Sequence, residues 1–240
     1  MRVRARYAKQ GRLRFVSAID LGRIWERALR KAALPIAYSE GFTPHPKVSF
    51  PDALALGYAS VGEYVELTFA VPVVIDRAIP AFNAAAPDGL RMLAAVEASD
   101  GAPRLSRWLQ ASLWDLRYSR SSTAGLLAGV RALASAERLP VDRERKGTTT
   151  RLDLQPALHR IALSDDTVRV ILHHTEPPFR PSEVHQALCA AVGDDALPLP
   201  GPVTRVAQGS LHPDGLREAL SGQLLPVTSN DHTVVAGHTD

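Results

Sequence analysis

The sequence predicts an α+β fold in which one order of elements, β-α-β-β-α-β, occurs twice along the chain. Segments whose apolar residues fall at every second position alternate with segments in which they recur every three or four. The same succession appears before and after a linker-like stretch that contains glycine and proline. Because this is the order of a ferredoxin-like domain, we predict two tandem ferredoxin-like domains at residues 1–99 and 108–212, followed by a flexible tail at 213–240.

The first strand is predicted over residues 2–15. Apolar side chains alternate with arginines from Val3 to Tyr7, and the alternation resumes after Gly11. A period of two is the pattern of a half-buried strand, and a glycine inside it indicates a bend or a break. We therefore expect the arginines at the alternate positions to lie on the other face of this strand from the apolar side chains.

A helix is predicted between Ser17 and Pro35. Ser17, with Asp20 three residues later, matches a capping box at a helix start, and proline stops the helix at its other end. The apolar positions share one face: Leu21, Ile24, Trp25, Ala28, Leu29 and Ala32. Four cations occupy the opposite face: Arg23, Arg27, Arg30 and Lys31.

The remaining elements follow from the same patterns. In the first half they are an extended segment at 36–50, a strand between Gly57 and Ala70, a short helix at 76–86 and a strand at 90–98. In the second half they are a strand at 113–119, a helix at 122–136, an extended stretch with an internal hairpin at 141–161, a strand at 167–173, a helix at 181–192 and a strand at 203–209.

Charge is distributed unevenly along the 240-residue chain. The formal net charge is +3, but residues 1–50 contain eleven Lys or Arg against three acidic residues, a balance of +8. Clustered cations release counterions when they bind phosphates, so this segment favours a polyanionic partner such as RNA. An arginine-rich surface that reflects genome composition alone is the other explanation of the same counts.

The composition is that of an ordinary soluble globular protein. No apolar run reaches the roughly 18 residues that a membrane span needs, and the N-terminal residues lack the apolar core of a signal peptide. The single cysteine, Cys189, excludes a disulfide framework and is typical of a reducing compartment. We expect a cytoplasmic protein with no membrane contact, no metal and no other cofactor.

The most unusual segment is Tyr38–Lys47, which reads Tyr-Ser-Glu-Gly-Phe-Thr-Pro-His-Pro-Lys. Its glycine permits backbone conformations that other residues avoid, and Pro44 and Pro46 stiffen the chain on both sides of His45. A rigid loop that presents cations and aromatic rings can contact a phosphate and stack a base. A structural corner, in which His45 bonds only to the backbone, is the alternative.

The predicted RNA contacts combine this loop with basic residues of both halves. Arg145 and Lys146 precede Gly147 in a basic stretch that indicates a hairpin tip, either a phosphate contact or a solvated loop. The complete set is Arg12, Arg14, Arg23, Arg27, Arg30, Lys31, Phe42, His45, Lys47, Arg145 and Lys146.

The first seventy residues also resemble a known family. The residues that carry the resemblance are Arg14-Phe15-Val16-Ser17, Asp20-Leu21, Arg27-Ala28-Leu29-Arg30-Lys31-Ala32, Pro35, the whole of 38–50, Leu56-Gly57, Ser60 and Glu63-Tyr64. They resemble the radical-SAM-associated family of unknown function, whose members occur as short separate proteins or fused behind a radical SAM domain. The resemblance implies a radical SAM protein as a partner and, through association with RNA maturation genes, a tRNA or rRNA ligand.

Two residues limit what the resemblance carries over. The family often has a histidine after the serine of its Ser-His-x-Asp segment, whereas this chain has Ala18, so no role of that histidine applies here. A cluster that activates S-adenosylmethionine needs three cysteine thiolates, and the chain has only Cys189. Any radical chemistry is therefore expected in the partner.

The sequence thus predicts an RNA-binding accessory protein of a radical SAM or RNA-modifying system. One alternative is a metal-independent endoribonuclease, since the tandem architecture resembles that of CRISPR-repeat-processing endoribonucleases. In that case Tyr38, His45 and Lys47 are the candidate catalytic acid and base residues. The other alternative is a docking module that binds a radical SAM enzyme and no nucleic acid.

Overall fold

A computed structural model describes three stretches of the chain, residues 1–118, 123–193 and 197–227. Within them the protein is mixed α+β with four α-helices, which confirms the predicted class. The chain divides into two compact units, residues 1–108 with 219–221 (unit 1) and residues 109–218 with those from 222 onward (unit 2). None of the described helices has the length and apolar character needed to cross a membrane.

Unit 1 contains two helices and an antiparallel sheet. Its elements are β1 (Arg2–Lys9), α1 (Ala18–Lys31), β2 (Val48–Ser49), β3 (Ala59–Thr68), α2 (Ile75–Ala85) and β4 (Leu90–Glu97). The strand order is β4-β1-β3-β2, so the first strand lies between the last and the third. In this register Ala5 stands opposite Val65 on one side and Ala95 on the other.

An aromatic cluster fixes the orientation of α1. Trp25 is fully buried and stacks on Phe82 of α2, with 4.3 Å between ring centroids. It meets Tyr7 of β1 edge-on at 5.1 Å and Phe50 at 6.0 Å. Aromatic pairs of this geometry add to the stabilisation from buried area. Because this side of α1 points into the core, its arginines face solvent.

The predicted start and apolar face of α1 are confirmed. The Ser17 hydroxyl oxygen accepts a hydrogen bond from the Asp20 backbone N–H at 3.2 Å, and the hydroxyl donates to the Asp20 carboxylate at 2.7 Å. Four of the predicted core residues are buried. The helix ends at Lys31, and Ala33 takes a left-handed conformation with φ +52°. The chain therefore leaves the helix before it reaches Pro35.

The strand predicted over residues 2–15 is wrong in its second half, because Gly11–Phe15 form a 3₁₀-helix. Gly11 has φ +56° and turns the chain. The preceding residue, Gln10, donates its backbone N–H to the Gly89 carbonyl at 2.8 Å. A Cβ on Gly89 would lie 2.4 Å from the Gln10 oxygen, so only glycine permits this approach. The contact joins two segments that are distant in sequence. The local alternation of apolar and polar residues therefore does not predict it.

Arg4 lies on the face of β1 opposite the core residues Val3, Ala5 and Tyr7, as its position in the alternation predicts, but that face is covered there. Its side chain is 2% exposed and donates to the Glu66 carboxylate at 3.1 Å. It also donates to the Pro103 carbonyl, and its guanidinium lies 4.4 Å from the ring centroid of Trp108. A buried charge requires such partners. Part of the positive charge of the N-terminal segment is therefore neutralised inside unit 1.

Unit 2 contains two helices, a sheet and a separate hairpin. Its elements are β5 (Ala111–Arg117), α3 (Thr123–Ser135), β6 (Pro140–Arg145), β7 (Thr148–Asp153), β8 (Leu158–Ser164), β9 (Thr167–His173), α4 (Pro181–Val192), β10 (Thr204–His212), β11 (Gly215–Glu218) and β12 (Leu224–Pro226). The sheet has the order β10-β5-β9-β8, whereas β6 and β7 form a separate two-stranded sheet within the described residues. The first strand of this sheet, β5, lies between β10 and β9, and β11 and β12 extend the sheet beyond β10.

The predicted flexible tail is wrong over its first part. Residues 215–226 form two strands, and β11 pairs with β10 from Gly209 opposite Glu218 to His212 opposite Gly215. Leu216 is buried in the core of unit 2 because of this pairing. The rest of the predicted tail, residues 228–240, lies outside the described residues.

Replacing Phe82 by alanine is expected to lower the free energy of unfolding by about 3–5 kcal/mol, because the ring is fully buried against Trp25. The same change at Phe42, whose ring is fully exposed, is expected to alter it by less than about 0.5 kcal/mol. Urea unfolding followed by tryptophan fluorescence measures both. Equal losses in the two variants would contradict this placement of the core.

Candidate nucleic-acid interface

The outer face of α1 carries the four predicted cations: Arg23, Arg27, Arg30 and Lys31, all exposed. Two of them form ion pairs along the helix. Arg23 lies 3.3 Å from the Asp20 carboxylate, and Arg30 lies 2.8 Å from that of Glu26. No ion pair involving Arg27 or Lys31 is found among the described residues. The face therefore keeps a net positive charge.

In the Tyr38–Lys47 loop, a bridge and hydrogen bonds near the two ends hold the backbone closed. Tyr38 and Pro46 form an antiparallel bridge. Next to it, the Ser39 N–H donates to the His45 carbonyl at 2.8 Å, and the His45 N–H donates to the Ser39 hydroxyl oxygen at 2.9 Å. Gly41 has φ +129°, a conformation that favours glycine. The loop is thus shaped by its own hydrogen bonds.

Both ends of the loop are tied to the end of β3. The Ala37 N–H donates to the Thr68 carbonyl at 2.8 Å, the Thr68 N–H to the Lys47 carbonyl at 3.0 Å, and the Lys47 N–H to the Ala37 carbonyl at 2.8 Å. These three residues form a ring of hydrogen bonds. The ring holds the base of the loop on the sheet of unit 1.

The loop presents its predicted binding residues to solvent. Phe42 is fully exposed at the tip, and Tyr38 is 46% exposed. His45 and Lys47 are exposed as well. An exposed aromatic ring gains nothing from the fold, so Phe42 is available to a partner.

One cavity of unit 1 connects the loop with α1. It has a volume of about 330 Å³, and both Arg30 and Tyr38 line it. We call it the α1–loop cavity. None of its other lining residues was predicted as a site residue; they are Glu26, Leu29, Ala33, Leu34, Pro35, Ile36 and Pro46. A signal for Glu26 was present, since it stands four residues before Arg30, the spacing of a helical ion pair.

The three candidate acid and base residues are not joined. Among the described contacts, no hydrogen bond or ion pair links the side chains of Tyr38, His45 and Lys47. Their backbones are fixed, and their side chains point to solvent separately. The arrangement therefore supplies surface groups for contact with a ligand rather than a hydrogen-bonded acid–base pair.

Arg12 and Arg14 lie on the 3₁₀-helix that precedes α1. Arg12 is exposed, whereas Arg14 is half-buried with its guanidinium 4.7 Å from the ring centroid of Phe15. Arg12 is thus the freer of the two for contact with a phosphate.

Arg145 and Lys146 belong to unit 2, where the predicted hairpin tip is confirmed. The β6–β7 turn has positive φ at Lys146 (+51°) and at Gly147 (+76°), as a tight two-residue turn requires. Both predicted cations are exposed. Their neighbour Arg143 is held instead, since it lies 2.5 Å from the Glu183 carboxylate.

Unit 2 also has a polar cavity of about 530 Å³. In it Arg169 binds Asp115 through two hydrogen bonds of 2.7 and 2.8 Å, and Arg117 lies 3.2 Å from Asp166. A hydrogen bond from Thr167, together with Arg117, lowers the pKa of Asp166 below its ordinary value. The arginines of this cavity are thus matched by carboxylates, and it has less attraction for a polyanion than the face of α1.

Cys189 is partly buried and lies beside His185. Its sulfur is 3.6 Å from Nε2 of His185, whose Nδ1 is 3.1 Å from the Tyr118 hydroxyl. Burial, and secondly Cys189, raise the pKa of Tyr118 above its ordinary value. Burial lowers the pKa of His185. No group of three or more potential metal ligands occurs in the described part of the chain.

Comparison with known proteins gives a family match over most of the chain. A family model described as "Uncharacterized protein conserved in bacteria (DUF2344)" matches residues 2–182. The matched range runs from β1 to the first turn of α4 and includes the outer face of α1, the Tyr38–Lys47 loop and the β6–β7 hairpin. No curated protein matches the chain.

The stability of unit 2 is expected to depend on the protonation of His185. Because its pKa is lowered in the folded state, the unfolded chain takes up the proton first, and stability falls as the pH drops through about 6.5. A His185→Gln variant lacks this effect. Urea unfolding at about pH 7.5 and 5.5 should show a steeper acid loss for the wild type than for the variant, and parallel losses would contradict this origin.

Proposed function

We propose that this chain, which belongs to the family of uncharacterized proteins conserved in bacteria (DUF2344), binds RNA through the outer face of α1 and the Tyr38–Lys47 loop. The observation that carries the proposal is the α1–loop cavity, to which the cationic helix contributes Arg30 and the loop contributes Tyr38. Cations beside aromatic rings are the combination with which proteins hold single strands.

The phosphate contacts are assigned to the cations without a carboxylate neighbour. Arg27 and Lys31 stand four residues apart on α1, on successive turns of one side. A phosphate that approaches them meets positive charge and displaces no described ion pair. Counterion release then makes binding favourable and sensitive to salt.

The base contacts are assigned to the aromatic residues of the loop. Phe42 and Tyr38 project from a backbone that is already ordered by hydrogen bonds. Stacking on a fixed ring needs little further ordering of the protein, and it accepts any base because every base has a π-face. His45 and Lys47 follow these residues in the same loop, are exposed, and add donors for phosphate or base edges.

We also propose that both units are ferredoxin-like domains. The support is the shared order of elements and the shared strand order, β4-β1-β3-β2 in unit 1 and β10-β5-β9-β8 in unit 2. This tandem arrangement is similar to the architecture of CRISPR-repeat-processing endoribonucleases, which handle RNA. Such a similarity of fold supports RNA as the ligand without implying cleavage.

The resemblance of residues 2–70 to radical-SAM-associated proteins suggests the system in which the RNA is bound. With a single cysteine, the chain holds no cluster of its own, and we assign the radical chemistry to a partner. The proposed role is that of a cytoplasmic accessory protein that presents RNA to a radical SAM or RNA-modifying enzyme.

A double variant, Arg27→Glu with Lys31→Glu, is expected to weaken RNA binding roughly tenfold at low salt. It should also reduce the slope of log K against log salt by about 1.4, the share of two phosphate contacts to a single strand. Filter binding with total RNA over a range of salt concentrations measures both quantities.

The matched control is Arg131→Glu with Arg138→Glu, which makes the same charge change at two exposed positions of unit 2. It should leave affinity and slope close to the wild type. An equal loss in both double variants would show that net charge alone governs binding, and the assigned surface would be wrong. Absence of salt-dependent binding in the wild-type protein would refute the RNA-binding function.

An exposed apolar group in unit 1 supports a second candidate function, protein docking. Phe15 is 61% exposed, and Ile19 and Leu56 are similarly exposed. The segments of Phe15 and Leu56 are adjacent, since the Gly57 N–H donates to the Arg14 carbonyl at 2.9 Å. Exposed apolar side chains on neighbouring segments are typical of protein-binding surfaces. The radical SAM partner is the occupant that the sequence resemblance suggests.

The docking function predicts that Phe15→Ser with Ile19→Ser abolishes co-purification with radical SAM proteins of the source organism, because the contact loses its apolar anchors. RNA binding should be unchanged. Leu199→Ser, at another exposed apolar residue, is the control. Co-purification that survives the double change, or is lost equally in the control, would contradict docking at this surface.

A further inference from the structure

We infer that the α1–loop cavity holds one unpaired guanine base of a bound single-stranded RNA. The inference rests on the proposed RNA-binding function and specifies its ligand. It is argued from three features of the cavity: its size, its aromatic wall and the carboxylate at its edge.

The size of the cavity suits a single base. Its volume of about 330 Å³ is at the lower end of the roughly 300–1,000 Å³ typical of small-molecule sites. Most of its lining is apolar and comes from the last turn of α1, the segment after it and Pro46. A planar heterocycle fits such a lining better than a charged sugar-phosphate does.

Tyr38 supplies the aromatic wall. Its backbone is held by the bridge to Pro46, so the ring is presented from a fixed position. It lines the cavity and is 46% exposed, which leaves ring surface available for a base. Bases that leave a helical stack are typically received on aromatic side chains in this way.

Glu26 supplies the selectivity. Its Oε1 accepts a hydrogen bond from Arg30 at 2.8 Å, and no partner for Oε2 is found in the described stretches of the chain. An ionised carboxylate only accepts hydrogen bonds. Guanine is the base whose Watson–Crick edge offers two adjacent N–H donors, on N1 and N2. Adenine, cytosine and uracil each place an acceptor on that edge next to their donor, and a carboxylate repels it.

The cations near the cavity are placed to bind the phosphates of the RNA strand that would carry the base. Arg30 lines the cavity, and Arg27 and Lys31 follow Glu26 and Arg30 directly along α1. Glu26 and Arg30 are therefore assigned to the base, and the residues that follow each of them, Arg27 and Lys31, are assigned to phosphates. This geometry allows a base to enter while the flanking phosphates remain at the surface.

The test uses fluorescence anisotropy with oligouridine RNA of about ten nucleotides, carrying one central guanosine, inosine or adenosine. The guanosine RNA is expected to bind about tenfold more tightly than the adenosine RNA, as a bidentate base contact provides. Inosine lacks the N2 amino group and should fall between them. Tyr38→Ala should weaken binding of all three, because stacking does not distinguish bases.

Glu26→Gln and Arg30→Gln form a matched pair, since each breaks the same ion pair. Glu26→Gln replaces the double acceptor and should reduce the guanosine-to-adenosine ratio to about one. Arg30→Gln keeps the carboxylate, so it should weaken all RNAs while preserving the ratio. A ratio of one in the wild type, or a ratio unchanged by Glu26→Gln, would overturn the guanine site and leave RNA binding intact. A lack of salt-dependent binding to every oligonucleotide would refute RNA binding itself.

Discussion

The candidate interface depends on the ring of three backbone hydrogen bonds between Ala37, Lys47 and Thr68. The ring ties both ends of the Tyr38–Lys47 loop to the last residue of β3, so the sheet sets the position of the loop. Ordering each free residue costs about 1–2 kcal/mol of conformational entropy. A loop of this length without an anchor would lose that entropy on binding a ligand. Here most of it is lost when unit 1 folds, and the rings of Tyr38 and Phe42 are presented in advance.

Local patterns were sufficient to predict α1 but not the end of β1. The helix is specified by residues close in sequence, the Ser17–Asp20 cap and the apolar spacing around Trp25. The end of β1 depends on the approach of Gln10 to Gly89, which are distant in sequence. Similarly, the composition after residue 212 resembles a tail because it contains turns. Pairing of β11 with β10 makes it part of the sheet.

The sequence predicted which types of residue form the candidate site. It did not predict which of the arginines are buried or which residues lie together in the cavity. Alternation placed the arginines of β1 outside the core, yet Arg4 is buried because Glu66 and Trp108 come from other segments. The cationic side of α1 was predictable, since a helix with one apolar face has a fixed opposite face. The cavity was not, because its walls combine Arg30 with Tyr38 across a turn whose path follows from the left-handed Ala33.

The fold itself accounts for three of the four cations on the outer face of α1. Arg23 has a carboxylate neighbour in Asp20, Arg30 has one in Glu26, and Lys31 gains about 0.3–1 kcal/mol from the helix C-terminus. Arg27 has none of these, because it lies in the middle of the helix and forms no ion pair with the described residues. It also stands four residues from Arg23 and from Lys31, and like charges at that spacing cost about 0.2–0.5 kcal/mol per pair. An anion bound at this face relieves that repulsion, so the helix is better stabilised in complex with a phosphate than alone. The contacts within the fold give no reason for a cation at Arg27, whereas binding of the proposed ligand does.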